Sequence, residues 1–67
     1  MPYQTIDDLP DSVQSHLPKH AQEIFLAAFN NAEKEYGSEE TAFRVAWSAV
    51  KRDYEKGSDG KWHKKSK

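Results

Sequence analysis

A chain of 67 residues has room for one hydrophobic core and is expected to form a single domain over 1–67; with no cysteine, disulfides, thiolate nucleophiles and cysteine-type zinc sites are excluded. The formal charge is −1, yet residues 1–40 hold eight acids against Lys19 and Lys34, whereas residues 41–67 hold eight bases against Asp53, Glu55 and Asp59. No apolar run approaches the roughly 18 residues of a membrane span, and residues 1–10 show no basic stretch followed by an apolar core, so the reading is a cytoplasmic chain that does not insert into membranes.

In chain order, Leu9 precedes a proline and is biased toward extended backbone. Pro10 suits the first position of a helix, with Asp11 complementing its dipole. A first helix is predicted over 10–17, with Val13 and Leu17 on one face, and Pro18 stops it. Asp7, Asp8 and Asp11 fit capping and dipole compensation. They lack the spacing, the central glycine and the terminal glutamate of a calcium loop.

Pro18 also opens a second helix, predicted over 18–36, where Ala21, Ile24, Phe25, Ala28, Phe29, Ala32 and Tyr36 recur at three- and four-residue steps. Gly37 then stands where a left-handed cap is expected. Ser38 is the expected N-cap of a third helix over 39–56, with Glu39 and Glu40 in its first turn. Its stripe is Ala42, Phe43, Ala46, Trp47, Ala49, Val50 and Tyr54, widened by Val45, and Gly57 is expected to end it. A connection as short as Gly37–Ser38 forces these two helices side by side or into a steep corner, with the first helix covering their groove. Phe25, Phe29, Phe43 and Trp47 are expected to interlock. The fold class is all-α, a compact three-helix domain.

Candidate chemistry is sparse. His16 and His20 stand four apart like a metal pair, but Pro18 between them breaks the helix, and hydrogen bonding at helix ends is the expected role. No Ser/His/Asp arrangement and no phosphate-cradling glycine loop occur. The chain reads as a non-enzyme with no cofactor and no metal. Gln22, Asn30, Asn31 and Arg44 sit in strongly patterned helices without an obvious structural need, and are candidates for contact with a protein partner. The basic end offers a different set: Lys51, Arg52, Lys61, Trp62, His63, Lys64 and Lys65, in which lysines would attract phosphates and Trp62 would stack on a base. Alternatively, Trp62 completes the core and the lysines keep the terminus soluble.

Taken together, DLPDSVQSHLPKHAQEIFLAAFNNA (8–32) and EETAFRVAWSAVKRDYEKGSDGKWHKK (39–65) closely resemble the ChaB family, named for regulators of cation transport. The most specific pieces are Leu9–Pro10 with Leu17–Pro18, His20–Ala21–Gln22 leading to Ala28–Phe29–Asn30, Val45–Ala46–Trp47, and Gly60–Lys61–Trp62. The resemblance implies a compact helical domain, in some members with a small two-stranded contact between the chain ends that would bring Tyr3 near Trp62. It implies regulation of a sodium/calcium–proton antiporter by protein contact, and no catalytic residue. Related domains in large DNA viruses and beside nucleic-acid-binding modules keep nucleic acid as the alternative partner. The chain departs from the family prototype at the junction of the second and third helices, where the prototype has a longer charged insertion and this chain has only Gly37–Ser38. A monomer is the expected state.

Overall fold

The computed structural model describes residues 3–65. A 3-10 turn at Ile6–Asp8 leads into helices α1 (Asp11–His16), α2 (Lys19–Tyr36) and α3 (Glu39–Asp53), then strands β1 (Tyr54–Lys56) and β2 (Trp62–Lys64). Leu9 is extended (φ −66°, ψ 153°), as a residue before proline should be. Both prolines stand one residue ahead of the position expected for them. Pro10 and Pro18 have extended ψ values of 150° and 166° and cap α1 and α2 from outside. Their carbonyls accept the first helical N–H bonds, from Gln14 at 3.0 Å and Gln22 at 2.9 Å.

The turn between α2 and α3 forms as its residues dictate. Gly37 takes the left-handed conformation (φ 67°), which a Cβ would disfavour, and its N–H donates to the Glu33 carbonyl at 2.8 Å. Ser38 Oγ accepts the Thr41 N–H at 3.4 Å, holding one of the orphan donors at the start of α3. The reversal lays α3 on α2, and this is the main helix contact of the fold. Ala21, Phe25, Phe29 and Ala32 of α2 are buried with Ala42, Ala46 and Val50 of α3. Tyr36, expected on the buried stripe, is 59% exposed, because it lies on the last turn of α2 before the chain reverses.

Four rings interlock as expected. Phe25 lies 6.3 Å from Phe29, 6.0 Å from Phe43 and 5.1 Å from Trp47, and Phe29 lies 4.8 Å from Phe43. The last two arrangements are edge-on, the geometry that sets the positive rim of one ring against the negative face of another. Leu9, Val13 and Leu17, contributed by α1 and its flanks, close the same cluster.

The C-terminal quarter corrects three expectations. Helix α3 ends at Asp53 rather than 56, since Tyr54 turns extended (φ −130°, ψ 156°). There its ring is buried and its hydroxyl shares a 3.0 Å hydrogen bond with His20 Nδ1. The two-stranded contact exists, but it is a hairpin pairing Tyr54 with Lys64, Glu55 with His63 and Lys56 with Trp62, and among the described residues no strand joins the N-terminal segment to Trp62. Tyr3 packs instead on Phe29, centroids 4.9 Å apart. Gly57, expected as a helix stop, opens the hairpin turn, its N–H donating to the Lys61 carbonyl at 2.7 Å. Gly60 donates to the Gly57 carbonyl at 3.1 Å and takes the positive φ of 84° that a three-residue hairpin loop requires at that position.

Candidate functional site

Helix α3 has two differently built sides. Ala42, Ala46 and Val50 face α2, while Glu40, Phe43, Arg44, Trp47, Ser48 and Lys51 line an open groove of about 1010 Å³. Those six positions advance by three or one, the spacing of a single helical stripe. Ser12 and His16 of α1 flank the groove, and Lys56 and Trp62 of the hairpin bound it. Phe43, Trp47 and Trp62 form its floor as half-buried rings packed against the core, with Trp62 tilted onto Trp47 at 5.5 Å.

The rim is polarised. Glu39 and Glu40 occupy the end at the start of α3, and Lys51 and Lys56 the other. Arg44 lies between them and meets Glu40 at 3.7 Å, with both side chains more than 80% exposed. A pair so solvated contributes at most about 1 kcal/mol and is readily exchanged for another partner.

The candidate partner residues divide between structure and surface. Asn30 grips the backbone of Tyr3, accepting its N–H on Oδ1 at 2.9 Å and donating from Nδ2 to its carbonyl at 2.7 Å. Gln22 donates to the carbonyls of Gln14 and Leu17 at 3.2 and 2.8 Å, tying the end of α1 to α2. Both side chains therefore have a structural task that the sequence does not disclose. Asn31 is exposed on α2 and does not line the groove. Arg44 does.

Of the basic candidates, Lys51 and Trp62 line the groove, and Trp62 shares a neighbouring concavity of about 500 Å³ with Lys61, His63 and Lys64. Lys65 joins Lys51 and Lys56 at a third, shallower recess beside Trp62. Arg52 is exposed near the end of α3 and belongs to none of these hollows. His63 is engaged within the hairpin, its Nε2 lying 3.2 Å from both carboxylate oxygens of Asp59. The Lys61 N–H and then the His63 ring hold the Asp59 carboxyl below its ordinary pKa. Burial first, and the Glu39 carboxylate second, push the Tyr3 phenol up. Among the described residues no cluster of three or more His, Asp or Glu is placed to hold a metal ion. His16 bonds to the Ser12 carbonyl at 2.6 Å, one turn back, whereas His20 reaches Tyr54.

Phe43 and Trp47, core positions by their helical spacing, also floor the groove, and Glu39, Glu40, Ser48 and Lys56, whose residue types give no sign of it, join its rim. The signal available was the stripe itself, in which each ring is followed by a polar residue on the same side.

A family model described as ChaB matches residues 9–65. The chain belongs to the ChaB family. Within the family, the protein of Escherichia coli (strain K12) named "Putative cation transport regulator ChaB" is 53% identical over 76 aligned positions, which take in 98% of this chain and all of the relative. Those positions outnumber the 67 residues here, so the Escherichia coli protein carries residues that this ChaB-family chain lacks. An NMR solution structure bearing the same name shares the fold with a TM-score of 0.89 and 52% identity, covering 97% of this chain and 100% of that one. An uncharacterized 10.9 kDa protein of Lymantria dispar multicapsid nuclear polyhedrosis virus is 39% identical over 54 residues, 81% of this chain and 56% of the viral protein. The helical ChaB fold is thus shared, and among the described residues no helix is long and apolar enough to cross a membrane.

Proposed function

We propose that this ChaB-family chain is a non-catalytic regulator of cation transport that works by protein contact, with a sodium/calcium–proton antiporter as its target and the α3 groove as its contact surface. The observation that supports this reading is the groove: three aromatic rings stay half-buried on one side of α3 beneath a charged rim, the composition of an interface centre with a polar margin. Arg44 is the candidate contact that stands in it, and Asn31 remains a second surface candidate on α2. The name of the Escherichia coli relative supplies cation transport as the regulated process, and the family resemblance supplies the antiporter.

The experiment uses membrane vesicles containing the antiporter and a pH-sensitive dye. Added chain should change the rate of cation–proton exchange in a saturable way, and Arg44→Glu should weaken that response while leaving the folded spectrum intact. An exchange rate indifferent to the folded chain at every concentration overturns the reading. The competing nucleic-acid reading draws on the lysines around Trp62, but one face of that ring is engaged by Trp47. It requires salt-sensitive binding to labelled DNA or RNA, and a flat titration at low salt removes it.

A further inference from the structure

We propose that the groove along α3 seats one amphipathic helix of a protein partner, running antiparallel to α3, with its basic end over Glu39 and Glu40 and its acidic end over Lys51 and Lys56. This rests on the protein-contact reading above and adds the occupant, its charge order and its direction.

The size of the groove selects a helical segment over a second globular copy. Stable protein interfaces bury about 800 Å² per partner. Three rings that are each mostly covered leave on the order of 100 Å² of apolar floor, a fraction of the roughly 150–250 Å² that one aromatic side chain buries in full. The lining stripe from Glu40 to Lys51 rises about 16 Å along the helix, which matches about three turns of a partner helix. An apolar stripe repeating every three to four residues would lie on Phe43, Trp47 and Trp62, the helix-in-groove mode of recognition.

Charge order sets the direction. Helix α3 has acids in its first turn and Lys51 and Arg52 in its last, the order that the helix dipole favours in helices generally. A partner helix built by the same rule meets opposite charges at both ends only when it runs antiparallel. That orientation also opposes the two dipoles. Arg44, held by a weak exposed pair with Glu40, is free to turn toward an acidic or polar side chain near the middle of the ligand.

The test uses the native chain and three synthetic 14-residue helices with one apolar stripe. The first has glutamates at its N-terminal end and lysines at its C-terminal end; the second has lysines at both ends; the third has glutamates at both. Amide shifts at Phe43, Arg44 and Trp47 should report binding, with the polarised helix at least tenfold tighter than either uniform one. A spin label on its lysine end should broaden the amides around Glu40, and one on its glutamate end those around Lys51. Equal or tighter binding by the all-glutamate helix, the opposite labelling pattern, or shifts confined to other surfaces would each overturn the proposal. If the chain alters antiporter exchange in vesicles while none of the helices binds the groove, the groove proposal fails and the regulatory reading stands. If the polarised helix binds as described and exchange is unmoved, the regulatory reading fails and the groove proposal stands.

Discussion

The two sides of α3 are built for opposite ends from the same helical repeat. Toward α2 it presents Ala42, Ala46 and Val50, each fully buried, and small side chains there let the helix axes approach while Phe25 and Phe29 fill the remaining space. Away from α2 it presents Phe43 and Trp47 interleaved with Glu40, Arg44, Ser48 and Lys51. Phe43 packs on Phe25 and Phe29, and Trp47 on Phe25 and Trp62, yet both rings are too large to be covered completely, and what is left of each lines the groove. The difference teaches that residue size, more than hydrophobicity, separates a closed helix face from an open one: alanine vanishes into a packed seam, whereas tryptophan supports the core and floors a groove together.

The sharpest way to break that division is at the residue serving both sides. Phe25 is fully buried and touches Phe29, Phe43 and Trp47. Phe25→Ala should cost about 3–5 kcal/mol, comparable with the ~5 kcal/mol total at the low end for small domains. Far-UV circular dichroism at 25 °C should show a largely unfolded chain, and a cooperative transition close to that of the parent would contradict the ring cluster as the centre of stability. Next in size, Ala46→Leu overfills the closed face and should cost about 1–3 kcal/mol, whereas Arg44→Ala on the groove face should stay within about 0.5 kcal/mol. Urea unfolding of the two variants should separate them, and similar midpoints would mean that the faces do not differ as described. Smaller again, Gly37→Ala forces a Cβ into φ 67° at about 1 kcal/mol, although nothing surrounds the site sterically; a shift of the melting temperature by several degrees is the expected reading.

What could be read in advance follows the range of the forces involved. The second and third helices, the Gly37–Ser38 corner and the four-ring cluster were legible because three- and four-residue spacing and cap chemistry act within a few residues. The end of α3 was not. Locally, Tyr54 continues the helical stripe, and it leaves the helix for a place fixed by His20, 34 residues away, and by a hairpin that carries Trp62 onto Trp47. Asn30 and Gln22 were misleading for a related reason: a polar residue on a helix looks free until the backbone it holds, at Tyr3 or at the end of α1, folds over it. The groove was half legible, with Arg44, Lys51 and Trp62 among the candidates and its floor hidden among the core positions.

The weakest expected effect concerns the hairpin that carries Trp62 to the groove. Asp59 accepts the Lys61 N–H at 3.0 Å and meets His63, and these contacts lower its pKa in the folded chain. A carboxyl lowered on folding adds stability that is complete above its ordinary value of 3.8 and disappears as pH falls through the lowered one. Acidification below the ordinary carboxylate range should therefore loosen the turn, seen as a shift of the Lys61 amide and a small change in Trp62 fluorescence, with the helical signal retained. Asp59→Asn should remove most of this acid-side response. Gly57→Ala should disturb the same contacts without changing any charge, because an added Cβ would stand 2.8 Å from His63 Cδ2 and 2.9 Å from Asp59 Oδ1, closer than those atoms can remain. If the Lys61 amide follows the same acid titration in Asp59→Asn as in the parent, the turn is held by its backbone bonds alone, and the groove's hairpin wall owes nothing to this carboxylate.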